Sequence, residues 1–277
     1  MERTIIADSS CDMTPQLRER LNVVSVPLTL RLGQKEYLDD ENLDLVAFMA
    51  EMKACTEPVG SAAPSSGLYK KAMLDAQDSF VITLSSQLSG SYESAVIGES
   101  LARKERDIET HIFDSKSATA GEVLIAVKLR ELIDSGLERG QIIETINNFI
   151  STMKTYFVLD RYDNLLKNGS LPKIQGKLIS VLNIKLVMGA DEKGTIALFD
   201  KVRGAKQIIK TMVSYIEKSG KKTEGETLVI THCFNPVLAQ QLVDAVKEKH
   251  TFKEILVVQT NGLSSLYTDD KGIVMAF

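Results

Sequence analysis

The segment FVITLSSQLSGSYESA, residues 80 to 95, decides how the rest of the chain is read. Phe80, Val81, Ile82, Thr83 and Leu84 form an apolar, β-branched run of the kind a buried strand needs. Ser85, Ser86, Ser89, Gly90, Ser91 and Ser94 follow, and SYESAVIGESLARK then takes up a helical period. A strand that ends in a Ser/Gly loop and opens a helix leaves backbone N–H groups unpaired at the helix start. With hydroxyls beside them, such groups suit a carboxylate or a phosphate. The competing reading is purely structural, with one Ser serving as the helix N-cap.

The same grammar recurs toward the N-terminus. Arg3 to Ala7 reads as a strand that ends in Asp8-Ser9-Ser10-Cys11-Asp12. Thr14 before Pro15 is an N-cap with proline at the first helical position, opening a helix through Leu21. Val23 to Leu32 is β-rich and broken only by Pro27. Asn42 to Ala54 has an amphipathic helical period, Pro58 to Gly67 reads as a small-residue loop with Ser61, Ser65 and Ser66, and Leu68 to Ala76 as a helix. Beyond residue 95, Thr110 to Phe113 is a short strand ending in Asp114-Ser115-Lys116-Ser117. A helix follows through Leu132, and another spans Gln141 to Met153.

This alternation predicts a parallel sheet with helices on both faces, a three-layer α/β/α domain over residues 1–153. Open sheets of this kind bind ligands beyond the carboxyl ends of their strands. The Ser/Asp loops all fall there, which favours a polar site over a set of unrelated caps.

From Thr155 the texture changes. Tyr156 to Leu159 reads as a strand and Tyr162 to Lys167 as a helix ending at Asn168-Gly169. Ile184 to Met188 and Thr195 to Phe199 flank Asp191-Glu192-Lys193-Gly194 as a β-hairpin. A helix from Ala205 to Lys218, an exposed SGKKTEGE linker, a strand at Leu228 to Thr231 and a helix from Pro236 to Glu248 come next. Strands at Ile255 to Gln259 and Gly272 to Phe277 complete a two-layer α/β domain with a mixed sheet over residues 154–277.

Composition narrows the classes. With 44% hydrophobic and 25% charged residues, the 277-residue chain can bury a sizeable core. A formal net charge of −4, without any basic block interleaved with aromatics, argues against nucleic acid. The start, MERTIIADSSCD, is unlike a signal peptide, and no apolar stretch reaches the roughly 18 residues of a membrane span. Cys11, Cys55 and Cys233 are widely spaced, which fits reduced thiols in a cytoplasmic protein. No His/Cys cluster has metal-ligand spacing, and the Asp269-Asp270 pair reads as a solvated turn.

Four motifs in register make a resemblance specific: Asp8-Ser9-Ser10-Cys11-Asp12, the SAAPS of Ser61 to Ser65, the SSQLSGSYESA of Ser85 to Ala95, and Asp114-Ser115-Lys116. Together they resemble the DegV family over essentially the whole chain. The resemblance implies a two-domain α/β carrier that holds one long-chain fatty acid between its domains and is not itself an enzyme. It also implies that the carrier can present the acyl carboxylate to a separate fatty acid kinase subunit, with transient membrane contact for lipid exchange and no cofactor. By motif, Ser61 and Ser89 would bond the carboxylate, with Gly90 offering a backbone N–H, and Asp8, Ser9, Asp114 and Ser115 would support the pocket. Two positions depart from the family pattern. Ser170 stands in Asn168-Gly169-Ser170-Leu171 where an Arg is usual, and Thr268 falls near a usual His.

The rival readings have specific requirements. A lipid or acyl hydrolase working through a loop serine needs a base, and the chain has no G-x-S-x-G elbow. His111 and His250 read as surface residues, and His232 as a structural residue after the LVIT strand. A nucleotide enzyme would have neither a P-loop nor a G-x-G-x-x-G to rest on. A DegV-like scaffold that binds nothing is the remaining alternative.

Overall fold

The computed structural model describes residues 3–171 and 184–277. Its N-terminal half runs β1 (Thr4–Asp8), α1 (Pro15–Leu21), β2 (Val23–Val26), β3 (Thr29–Leu32), β4 (Lys35–Leu38), α2 (Leu45–Ala54) and β5 (Val59–Ala62). It continues through α3 (Ser66–Ala76), β6 (Asp78–Thr83), α4 (Ser91–Arg103), β7 (Glu109–Asp114), α5 (Ala120–Asp134) and α6 (Arg139–Thr152). The local signals act as expected: the Thr14 side chain accepts the Leu17 amide and Pro15 opens α1. The four-stranded sheet is parallel in the order β2-β1-β6-β7. Because β1 leads toward β2 and β6 leads toward β7, the chain diverges between the tips of β1 and β6, where an open sheet forms a crevice.

The second half runs β8 (Thr155–Val158), α7 (Asp163–Lys167), β9 (Lys185–Ala190), β10 (Ile196–Val202), α8 (Gly204–Ser219) and β11 (Thr227–His232). It ends with α9 (Pro236–Lys247), β12 (Glu254–Gln259), α10 (Gly262–Thr268) and β13 (Ile273–Ala276). Its six-stranded sheet, β10-β9-β8-β13-β11-β12, is mixed, with only β11 and β12 pairing in parallel. The expected hairpin is β9–β10.

Several elements differ from the sequence reading: Val23 to Leu32 divides into β2 and β3, which lie in different sheets, and β4 was not expected. The Pro58 to Gly67 stretch is not all loop: β5 pairs antiparallel with β3 in a third sheet of order β4-β3-β5, which sets Ser61 opposite Leu30. The stretch before the last strand contains α10, so Thr268 ends a helix. β5 and α10 are short and draw their partners from far along the chain, so neither leaves a periodic trace.

Helices α3 and α4 cover one face of the parallel sheet through Tyr69, Met73, Ala95 and Ala102, packed on Ile6 and Val81. On the other face α5 meets Ile5, Phe80 and Ile82, and the same apolar cluster reaches Val229, Val274 and Ala276 of the mixed sheet. Every residue of α5 from Ala120 to Val127 is buried, as a helix lodged between two sheets requires. The far face of the mixed sheet is covered by α8 and α9 through Ile208, Met212, Leu242 and Val246. Among the described residues, no helix is long and apolar enough to cross a membrane.

Candidate functional site

The site is built on Asp8 at the tip of β1. Its Oδ2 accepts the Leu84 amide at 2.9 Å and the Ser91 hydroxyl at 2.6 Å, and its Oδ1 accepts the Ser10 amide at 3.1 Å. Ser91 takes a further bond from the Tyr69 hydroxyl at 2.7 Å. One carboxylate thus ties together β1, the loop after β6 and the first turn of α4. Burial pushes the Asp8 carboxyl up despite these bonds. Burial and the neighbouring Asp8 charge push Glu122 well above the usual carboxyl range, which favours its neutral form.

The other residues expected to give support lie in the same underlying layer. Ser9 Oγ accepts the Leu28 amide at 3.0 Å. Asp114 accepts the Ser86 hydroxyl at 2.6 Å and the Ser86 and Lys116 amides. The Ser115 hydroxyl donates to the Ser117 carbonyl at 3.0 Å. Asp8, Ser9, Asp114 and Ser115 therefore shape the loops but do not line the cavity above them.

That cavity encloses about 310 Å³ between the two sheets, at the lower end of the roughly 300–1,000 Å³ typical of small-molecule sites. Ser61, Ser89, Gly90, Ser170 and Thr268 all line it. The apolar part of the wall comes from both halves, including Leu28, Leu84, Phe157, Leu165, Ile196 and Leu263. Among the described lining residues none is charged. The hairpin tip closes onto the N-terminal loops, where the Ser85 hydroxyl donates to the Gly194 carbonyl at 2.8 Å. Gly194 has a φ of +85°, and a Cβ there would stand 2.8 Å from Lys116 Cα, so glycine is needed on both counts.

The hydroxyls divide by what they already bond. Ser61 Oγ and Tyr267 Oη share one hydrogen bond of 2.9 Å, which leaves one proton of the pair for a ligand. Burial pushes the Tyr267 phenol up, so it stays a neutral hydroxyl. Ser89 Oγ accepts the Ser91 amide at 3.2 Å, which keeps its own proton available. Gly90 is the N-cap of α4, supplies no side chain to cap it, and lines the cavity at that helix start. Thr268, in contrast, donates to the Ser264 carbonyl at 2.7 Å, and Ser170 Oγ accepts from Asn168 Nδ2 at 3.2 Å. Sequence reasoning missed Tyr267, because α10 was not expected, and Ser10, Ser117, Thr119 and Thr155, which also reach the wall.

The rivals find little in the geometry. His232 Nδ1 accepts the Asn235 amide at 3.3 Å, and His232 does not line the cavity. His111 packs edge-on against Phe113 and is half-buried rather than a surface residue. His250 is partly buried as well, with an Nε2 atom that has no hydrogen-bond partner. Among the described residues, no group of three or more His, Cys, Asp or Glu could hold a metal ion. Asp270 instead pairs with Lys53 at 3.1 Å and Asp269 with Arg161 at 3.8 Å.

Comparison with known proteins bears on this site. The model of the DegV family, described as uncharacterised protein, matches residues 3–276. A DegV domain-containing protein of Streptococcus gordonii is 37% identical over 277 residues, covering 99% of this chain and 98% of its own. Among solved structures, the Streptococcus pneumoniae fatty acid kinase (Fak) B3 protein loaded with linoleic acid superposes with a TM-score of 0.93 at 35% identity, over 100% of this chain and 99% of its own. A DegV family protein from Ruminococcus gnavus, refined with vaccenic acid, also has a TM-score of 0.93, at 30% identity and with 100% of both chains covered.

Proposed function

The chain belongs to the DegV family, and from that premise we propose that it carries one long-chain fatty acid, with the carboxylate at Ser61, Ser89 and Gly90 and the tail between the two sheets. The observation that carries this reading is a cavity whose described lining combines apolar side chains from both halves with hydroxyl groups and includes no charged residue. The solved relatives loaded with linoleic and vaccenic acid support it. Burying about 15 methylenes gains on the order of 12 kcal/mol at ~0.8 kcal/mol each. Holding an ionised carboxylate away from bulk water costs several kcal/mol, and each hydrogen bond to a charged acceptor returns roughly 1.5–3 kcal/mol. A few hydroxyl and amide donors can therefore stand in for a cation.

In this reading the chain is a carrier rather than a catalyst. The likeness to the pneumococcal Fak B3 protein supports presentation of the carboxylate to a separate ATP-using kinase subunit. Ser170 and Thr268 offer no cation to a phosphoryl group, so the neutralising charge for that transfer comes from the kinase. Denaturing mass spectrometry of protein purified from bacteria tests the carrier role. We expect release of a C14–C18 acid, reduced in Ser89→Ala and Ser61→Ala. Repeated preparations without lipid, and without any thermal shift on adding oleate, would sink it.

A further inference from the structure

Thr119 lines the cavity wall in a constrained conformation. Its backbone sits at φ 53° and ψ −117°, a region that a β-branched residue enters only with strain. Thr119-Ala120-Gly121-Glu122 has the spacing of a capping box, in which the Thr hydroxyl and the Glu carboxyl each satisfy the other's amide. Neither bond forms. The Thr119 side chain does not cap α5, its amide donates to Ser10 Oγ at 3.3 Å, and neither carboxyl oxygen of Glu122 has a hydrogen-bond partner. Thr119 is only 7% exposed and lines the cavity, and its Oγ1 has no hydrogen-bond partner.

A buried hydroxyl without a partner is disfavoured and uncommon, and glycine would occupy this backbone conformation without strain. Both oddities make sense if the hydroxyl is reserved for a ligand. The Thr119 backbone, not its hydroxyl, is linked to the carboxylate seat residue by residue: the Ser91 amide to Ser89, the Ser91 hydroxyl to Asp8, the Ser10 amide to Asp8, and the Thr119 amide to Ser10. A carboxylate offers about four acceptor positions, and the Ser61–Tyr267 pair with Ser89 supplies two protons for them. The positive end of α5, a helix of 15 residues, lies beside Thr119 and favours an anion there.

We propose that Thr119 is a third hydroxyl donor to the ligand carboxylate, so that the head group is held between the N-termini of α4 and α5. This rests on the fatty-acid reading above. The test measures oleate affinity and the melting temperature of the lipid-free protein for Thr119→Gly, Thr119→Val and Thr119→Ser, with Ser89→Ala alongside. Thr119→Gly removes the strain together with the hydroxyl, so it should melt higher yet bind oleate about tenfold or more weakly. Thr119→Val should weaken binding to a similar degree, and Thr119→Ser should retain it. Wild-type affinity in the Gly and Val variants, with Ser89→Ala impaired, overturns the Thr119 assignment alone and leaves its hydroxyl to a water molecule. Wild-type protein that takes up no oleate at all overturns the carrier reading and this inference with it.

Discussion

Ser61 and Tyr267 show how a neutral pair can replace a charged anchor. Whichever hydroxyl donates across their 2.9 Å bond, the other keeps a proton for the cavity. Removing the Tyr267 oxygen leaves Ser61 its proton but not its orientation, whereas removing the Ser61 oxygen deletes the donor on β5. We therefore expect Tyr267→Phe to weaken oleate binding a few-fold and Ser61→Ala about tenfold, within the roughly 0.5–3 kcal/mol range of single hydrogen bonds. Isothermal titration of both variants checks the order. The reverse ranking would make Tyr267 the donor.

Among the elements, α10 brings Leu263, Ser264, Tyr267 and Thr268 to the cavity, and two buried acids hold its start. Asp39 accepts the Gly262 and Leu263 amides at 2.8 and 2.9 Å, and Asp12 accepts the Asn261 amide at 2.7 Å. Burial pushes the Asp39 carboxyl up to about 6, against the pull of those amides. An unfolded Asp titrates near 4, so between about pH 4 and 6 the folded chain keeps a proton that the unfolded chain has released. Asp39 therefore contributes most stability below about pH 4, and roughly 3 kcal/mol of it is lost as pH rises through 6. Urea unfolding from pH 4 to pH 7 should show a shallower decline in Asp39→Asn than in the wild type. Parallel declines would show that Asp39 titrates normally.

For the whole molecule the central fact is that α5 serves both sheets. We propose the division between domains at residues 153 and 154, yet the apolar cluster that contains Val123 and Val127 continues into Val229 and Val274. Among the described residues four ion pairs also join the halves: Lys253–Glu131 and Arg20–Glu254, each 2.7 Å, Lys53–Asp270 at 3.1 Å and Lys128–Glu226 at 3.5 Å. Such exposed pairs are worth about 1 kcal/mol at most, so the shared apolar face dominates. A fragment of residues 1–153 should consequently lose cooperative thermal unfolding and bind a hydrophobic dye, while the full chain melts in one transition. A fragment melting sharply at the full-length temperature would contradict this account.

The residue order alone determined the strand–loop–helix alternation, the hairpin at Asp191 to Gly194, and the Ser/Asp loops at the strand tips. Those features depend on neighbours in the chain: a β-branched run, an N-cap or a turn residue acts over a few positions. The β3–β5 pairing that sets Ser61 on a strand, the α10 helix that supplies Tyr267 and the strained backbone of Thr119 were decided only in three dimensions. Each is held by groups far along the chain, Leu30 for Ser61, Asp39 for Gly262 and Ser10 for Thr119. Long-range hydrogen bonds of this kind override local preference and leave no periodic mark in the sequence.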